Sequence, residues 1–214
     1  MASGLLDAAE VGDLPRVQWL LSKNHASITE TDILGRTALL LSAYNGMLGC
    51  VRWLLSKGAA ITETDLLGYT PLLSAALKAN LPTNLLTVKW LLEFGGASVA
   101  DITNSQRTCW DLLSRCDCWQ THNAAAVTAL LQVMLLQDSP PVSTLAHLSQ
   151  EHAQVVAEGA RLRARLPAFL AQRRRARLSA HCPLLGPLRT LAMARAYDKP
   201  TTKQLWATGL GADL

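Results

Sequence analysis

Apolar residues recur along this chain in short blocks at helical spacing. Leu5, Leu6, Ala8 and Ala9 form one stripe. Val17, Leu20 and Leu21 form a second, with Trp19 among them, and Val51, Leu54 and Leu55 form another. Punctuation separates the blocks. Gly12 and Gly46 stand where helices should close with a left-handed residue. Asp13 and Thr37 stand where side-chain oxygens should cap the next helix, with Pro15 and Pro71 in first turns, where a missing N–H costs little. The blocks also repeat. Ile28 and Ile61, Gly35 and Gly68, Thr37 and Thr70, and Leu39 and Leu72 are each 33 positions apart. A fixed period of this length predicts a stack of helical repeats.

Two copies of one motif carry the period. Residues 32–39 read DILGRTAL and residues 65–72 read DLLGYTPL, each followed by an apolar helix and then V-x-W-L-L. This pattern resembles the ankyrin repeat. The resemblance implies an all-α solenoid of helix–turn–helix units with short finger loops, used to bind other proteins. Residues 5–28 resemble an N-terminal capping repeat, residues 32–60 a second repeat, and residues 65–97 a third. Trp53 and Trp90 are 37 apart, so four residues are inserted between the helices of the third repeat, expected as a longer loop in KANLPTNLL around Pro82. Residues 99–108 keep the finger spacing of a fourth, degraded repeat. There Gln106 replaces the glycine, Trp110 stands where Leu39 and Leu72 stood, and residues 123–136 read as a strong second helix. The family's histidine after T-P-L is replaced by Leu40, Leu73 and Asp111, which should weaken the usual hydrogen-bond ladder between repeats.

The expected domains are an ankyrin stack over 3–137, a linker over 138–143 around Pro140 and Pro141, and a basic helical region over 144–214. In that last region Val155, Gly159, Leu162, Leu166 and Phe169 share one helical face, expected to pack against the last repeat, and Pro167 should kink the helix. A break at 182–187, a short helix over 188–197 and a capping box at Thr201 and Gln204 should follow.

Charge sharpens this division. Residues 1–137 carry 9 basic and 11 acidic side chains, whereas 138–214 carry 11 basic and 5 acidic. The N-terminus is acidic, with no apolar run long enough for a signal peptide, and no stretch approaches a membrane span. Five cysteines, an odd number, and the lack of an N-x-[ST] sequon fit an intracellular compartment, cytoplasmic or nuclear.

Candidate chemistry is sparse. There is no Walker A loop, no G-x-S-x-G and no H-E-x-x-H, and the five histidines have no nucleophile at a useful spacing. The chain therefore reads as no enzyme, with no catalytic residue and no cofactor. Cys109, Cys116, Cys118 and His122 are close in sequence, but C-x6-C-x-C-x3-H is not a zinc-finger spacing, and ordinary thiols without metal are the reading adopted. Trp19, Trp53 and Trp90 share one repeat position, which reads as a packing position rather than a ligand box.

Three functional readings follow. By the resemblance, partners are bound by finger tips and inner helices. The aligned positions are Glu10 and Val11 in the cap, Ile33, Leu34, Arg36, Tyr44 and Asn45 in repeat two, Leu66, Leu67, Tyr69, Leu77 and Lys78 in repeat three, and Ser105 and Arg107 in repeat four. Ile-Leu and Leu-Leu at two successive fingers suggest a protein-binding patch, unless the tail covers them or they pack on each other. The first reading is thus a monomeric protein-interaction module or adaptor. The second is association with nucleic acid or an anionic membrane through Arg161, Arg163, Arg165, Arg173, Arg174, Arg175 and Arg177, a stretch with no acid. Its rival is a solvated face whose arginine stems cover apolar surface. The third is a ubiquitin-ligase substrate adaptor. HCPLLGPL at 181–188 is similar to the L-P-L-P-x-x-L segment of a SOCS box, although the preceding residues do not match its L-C-R core.

Overall fold

The computed structural model describes residues 4–23, 25–115, 124–138, 140–141 and 153–165. Eight α-helices are arranged in four pairs: α1 (Gly4–Val11) with α2 (Leu14–Ser22), α3 (Ala38–Tyr44) with α4 (Leu48–Ser56), α5 (Pro71–Leu77) with α6 (Pro82–Trp90), and α7 (Cys109–Arg115) with α8 (Ala124–Gln137). A single π-turn, Leu91–Gly95, continues α6. Residues 153–165 form a ninth helix, α9. The first helices stack in the order α1, α3, α5, α7, and the second helices lie behind them. Among the described residues no strand is formed, and the only bridges are two isolated ones, Thr31 with Thr37 and Ile102 with Thr108.

The caps expected at Asp13 and Thr37 are present: Asp13 accepts the Arg16 N–H at 3.1 Å and Thr37 the Leu40 N–H at 3.3 Å. Thr70 caps α5 in the same way, accepting the Leu73 N–H at 3.4 Å. Gly12 and Gly46 have φ of +78° and +69°. The core runs the length of the stack. Leu5, Leu39, Leu72 and Trp110 fill equivalent sites in four successive first helices and are all buried. Fully burying a leucine contributes about 1.5–3 kcal/mol, so this column holds the repeats together.

Three expectations change. Trp19 does not pack among Val17, Leu20 and Leu21: only Val17 is buried, Leu20 and Leu21 are half-buried, and Trp19 lies mostly in solvent against His25. Its helix belongs to the first pair, so no earlier repeat among the described residues covers its outer side. Trp53 and Trp90 do pack partly on the core. Second, the insertion in KANLPTNLL is not a long loop. The α3–α4 connection spans residues 45–47 and the α5–α6 connection 78–81, so most of the extra chain lengthens α6 at its N-terminal end. Pro82 starts that helix, and Asn84 is fully buried. Third, the missing histidines do not leave the repeats untied. The Thr37 hydroxyl donates to the Glu63 carboxylate, and Thr70 makes the equivalent bond to Asp101. Glu63 and Asp101 stand two residues after Ile61 and Val99, so each N-cap threonine is held by a carboxylate from the following repeat.

Helix α9 closes the last pair. Val155, Val156 and Leu162 pack on the core, and Gly159 lies so close to α8 that an added Cβ would be 2.7 Å from the Leu135 side chain. The faces anticipated at Leu166 and Phe169, the kink at Pro167, and the elements expected over 182–204 lie outside the described residues.

Candidate functional site

The fingers of repeats two and three are each built by one carboxylate. Asp32 Oδ1 accepts the N–H groups of Leu34 at 2.9 Å and Arg36 at 2.8 Å, and Asp65 Oδ1 accepts those of Leu67 and Tyr69, both at 2.9 Å. Such turns hold four residues tightly and drive the two tip side chains outward. In the fourth finger Thr103 takes the role, accepting the Arg107 N–H at 3.1 Å. Burial opposes ionisation of Asp32, but the bonds from Arg36 and Leu34 and the Arg36 charge at 2.7 Å outweigh it and hold the carboxyl below its ordinary value.

Successive fingers are stitched by backbone. Leu66 N–H donates to Leu34 O at 3.1 Å, and Asn104 N–H donates to Leu67 O at 3.0 Å. Asn104 also sends its side-chain amide to Leu66 O at 3.1 Å. These bonds require close approach. A Cβ on Gly68 would lie 2.5 Å from Asn104 Oδ1, and Gly68 has φ of +79°, so the position suits glycine on both counts.

The tips themselves are apolar and open. Ile33 is 94% exposed, and Leu34, Leu66 and Leu67 are between 48% and 68% exposed. They are not buried against each other, and no described part of the tail covers them. Adjacent helices in a stack lie about 8–10 Å apart, so these four side chains form one strip across two repeats. The fourth finger, Asn104 and Ser105, is polar and ends it.

Beside the strip, the inner helix ends carry a preformed cluster. Lys78 Nζ donates to Asn45 Oδ1 at 3.2 Å and sits 4.0 Å from the centre of the Tyr44 ring. Asn45 is anchored in turn to Leu41 O at 3.1 Å. These three expected contact residues therefore come together across repeats two and three. Leu77 is exposed on the same helix end, and Val11 is exposed at the equivalent place in the cap. Tyr69 and Arg36 are half-buried, and Tyr69 packs partly on the core. Sequence reasoning did not anticipate the Lys78–Tyr44 contact. The 33-residue step from Asn45 to Lys78 was its only available signal.

The other candidates fall elsewhere. Arg161 and Arg165 are exposed on α9, while Arg163 donates to Leu135 O at 2.9 Å and is held against the stack. Arg173, Arg174, Arg175 and Arg177, the SOCS-like segment, and Cys116, Cys118 and His122 lie outside the described residues. Cys109 is buried. Cys50 is also buried; burial first and the Asp13 charge second raise its thiol pKa, against a hydrogen bond with Ser42. Among the described residues no group of three metal-ligating side chains converges, and no helix is long and apolar enough to cross a membrane.

Residues 5–106 match the family model described as Ankyrin repeats (3 copies). No curated protein matches the chain. Repeats of this family are generally protein–protein interaction modules and typically non-enzymatic. The matched segment ends at Gln106, within the fourth finger, where the motif loses its glycine. The helical pairs, the finger turns and the match agree: residues 5–106 of this chain form ankyrin repeats.

Proposed function

We propose that this chain is an adaptor that binds a partner protein on the finger and inner-helix face of repeats two and three. The supporting observation is the strip of Ile33, Leu34, Leu66 and Leu67, four large apolar side chains held in solvent on fingers fixed by backbone bonds. Exposed apolar groups on rigid supports lose little entropy on binding, and contiguous patches of this kind mark interaction sites. The Tyr44–Asn45–Lys78 cluster beside it offers an aromatic and a cation already in place. In this reading residues 3–137 are the binding domain, 138–143 a linker and 144–214 a further region.

The test is affinity capture with the full chain, identification of what is retained, and repetition with Ile33→Ser plus Leu67→Ser. Both side chains are exposed, so melting should change little. Tyr69 is left intact because part of it packs on the core. Removing a central anchor costs about 2 kcal/mol or more, which is roughly a thirtyfold loss of affinity. A folded double variant that still captures the same partner with wild-type affinity would place the interface elsewhere.

A further inference from the structure

The opposite side of the stack has a different character. With their C-terminal caps, α2 and α4 carry Arg16, Lys23, Arg52 and Lys57 and no acid. The nearest acid in sequence, Asp13, caps the start of α2. On α6, Lys89 pairs with Glu93 at 4.0 Å. Among the described residues Arg16, Lys23, Arg52 and Lys57 have no carboxylate within ion-pair distance, and the Arg36–Asp32 pair lies in a finger. This is unexpected in residues 1–137, where acids outnumber bases. Five of the nine bases of residues 1–137, Arg16, Lys23, Arg52, Lys57 and Lys89, lie on or cap the outer helices.

Aromatic side chains are interleaved with it. Trp19, Trp53 and Trp90 stand at one position of three successive outer helices, and Phe94 follows Trp90 by four. Trp19 is 54% exposed and Phe94 63%. Leu86, four residues before Trp90 and so on the same side of α6, is also exposed. The cations lie over the rings. Arg52 is 5.7 Å from the centre of the Trp90 ring and Lys57 is 5.5 Å from that of Trp53, while Trp19 stacks on His25 at 5.0 Å.

We propose that this outer-helix face rests on an anionic phospholipid surface. Unpaired lysine and arginine are attracted to anionic headgroups, and tryptophan is favoured at the level where headgroups meet hydrocarbon. Leu86 and Phe94 supply apolar groups to enter the acyl boundary. Single-stranded nucleic acid also takes basic and aromatic residues together, but it needs free ring faces for base stacking. Here each tryptophan already has a neighbour within its own protein, Lys57, Arg52 with Phe94, or His25. The association is peripheral and leaves the finger strip on the other side unobstructed.

The experiment is co-sedimentation of the full chain with phosphatidylcholine vesicles, with and without phosphatidylserine. Binding should require phosphatidylserine and should weaken as salt is added. Lys23→Gln, Arg52→Gln and Lys57→Gln together should weaken it at least tenfold. Changing Arg173, Arg174, Arg175 and Arg177 to Gln should leave it in place. Brominated lipid should quench the wild-type tryptophan emission, and Trp19→Phe should remove part of that quenching; this readout stands even if the triple variant fails to fold. No binding to phosphatidylserine vesicles at low salt overturns the proposal. So does loss of binding in the tail variant with retention in the triple variant, absence of quenching, or a preference for single-stranded DNA over vesicles.

Discussion

Gln106 is the one described non-glycine residue with positive φ, at +58°. It stands where Gly35 and Gly68 stand in the other fingers. A side chain in that region costs about 1–2 kcal/mol, and glycine gives back part of the gain through chain entropy. Gln106→Gly should therefore raise stability by about 0.5–1 kcal/mol in denaturant unfolding; a loss of stability would mean the Gln106 side chain has a role of its own. Glu63 and Asp101 act through charge. Burial pushes both carboxyls up, and the Thr37 and Thr70 hydroxyls offset this in part. A raised carboxyl binds more protons folded than unfolded. Its stabilising contribution is thus complete below the ordinary value, 4.5 for Glu63, and is lost as pH rises through the folded value. Asp32 works in the opposite sense, since its lowered carboxyl loses its contribution as pH falls below 3.8. Glu63→Gln keeps an acceptor for Thr37 without the buried charge. Its melting temperature should vary less than wild type between pH 4.5 and neutrality, and an unchanged pH profile would contradict this assignment.

At the scale of elements, α6 shows how a sequence insertion was absorbed. Asn84, in the extra first turn, donates to Tyr44 O at 2.8 Å and reaches Ala43 O and Ala75 O at 3.4 Å. It thereby joins the end of α3 to α5, and its own Oδ1 is buried without a partner. Removing a buried donor that serves several carbonyls costs about 1–3 kcal/mol. Asn84→Ala should lower stability by that amount and loosen repeats two and three together, seen as faster amide exchange at 41–47 and 75–81; exchange unchanged there would refute the bridging role. The sequence disclosed the length of this insertion but not its placement. Proline in KANLPTNLL signals a turn or a helix start equally well, and only the space beside Gly46 decides between them. The finger turns, N-caps and core column were legible because each depends on neighbours a few residues away or one period away. The Thr37–Glu63 and Thr70–Asp101 bonds were missed because they link positions 26 and 31 apart, off that period.

Across the whole molecule, the stack is closed at its C-terminal end by contacts that local pattern conveyed only in part. The face of Val155, Gly159 and Leu162 was readable from helical spacing, but Arg163 was read as surface and instead caps Leu135 O. Gln137 adds a second tie, accepting the Val99 N–H at 3.0 Å and donating to Leu92 O at 3.2 Å. Gly159→Val would drive carbon into Leu135 and should cost about 1–3 kcal/mol, releasing 153–165 to limited proteolysis before the repeats are cut. Equal resistance of variant and wild type would show that α9 is not anchored there. The binding face was legible as residue identities at repeat positions; its geometry was not, because side-chain exposure depends on how successive fingers meet. Two surfaces are distinguished, an apolar finger strip and a basic aromatic back on the outer helices of the stack. The most direct test of the adaptor reading is amide hydrogen exchange of the full chain with and without its captured partner. Protection should concentrate at 32–36, 44–45, 65–69 and 77–78. Protection confined to α9 and the residues after it, with the fingers exchanging as in the free chain, would contradict the account.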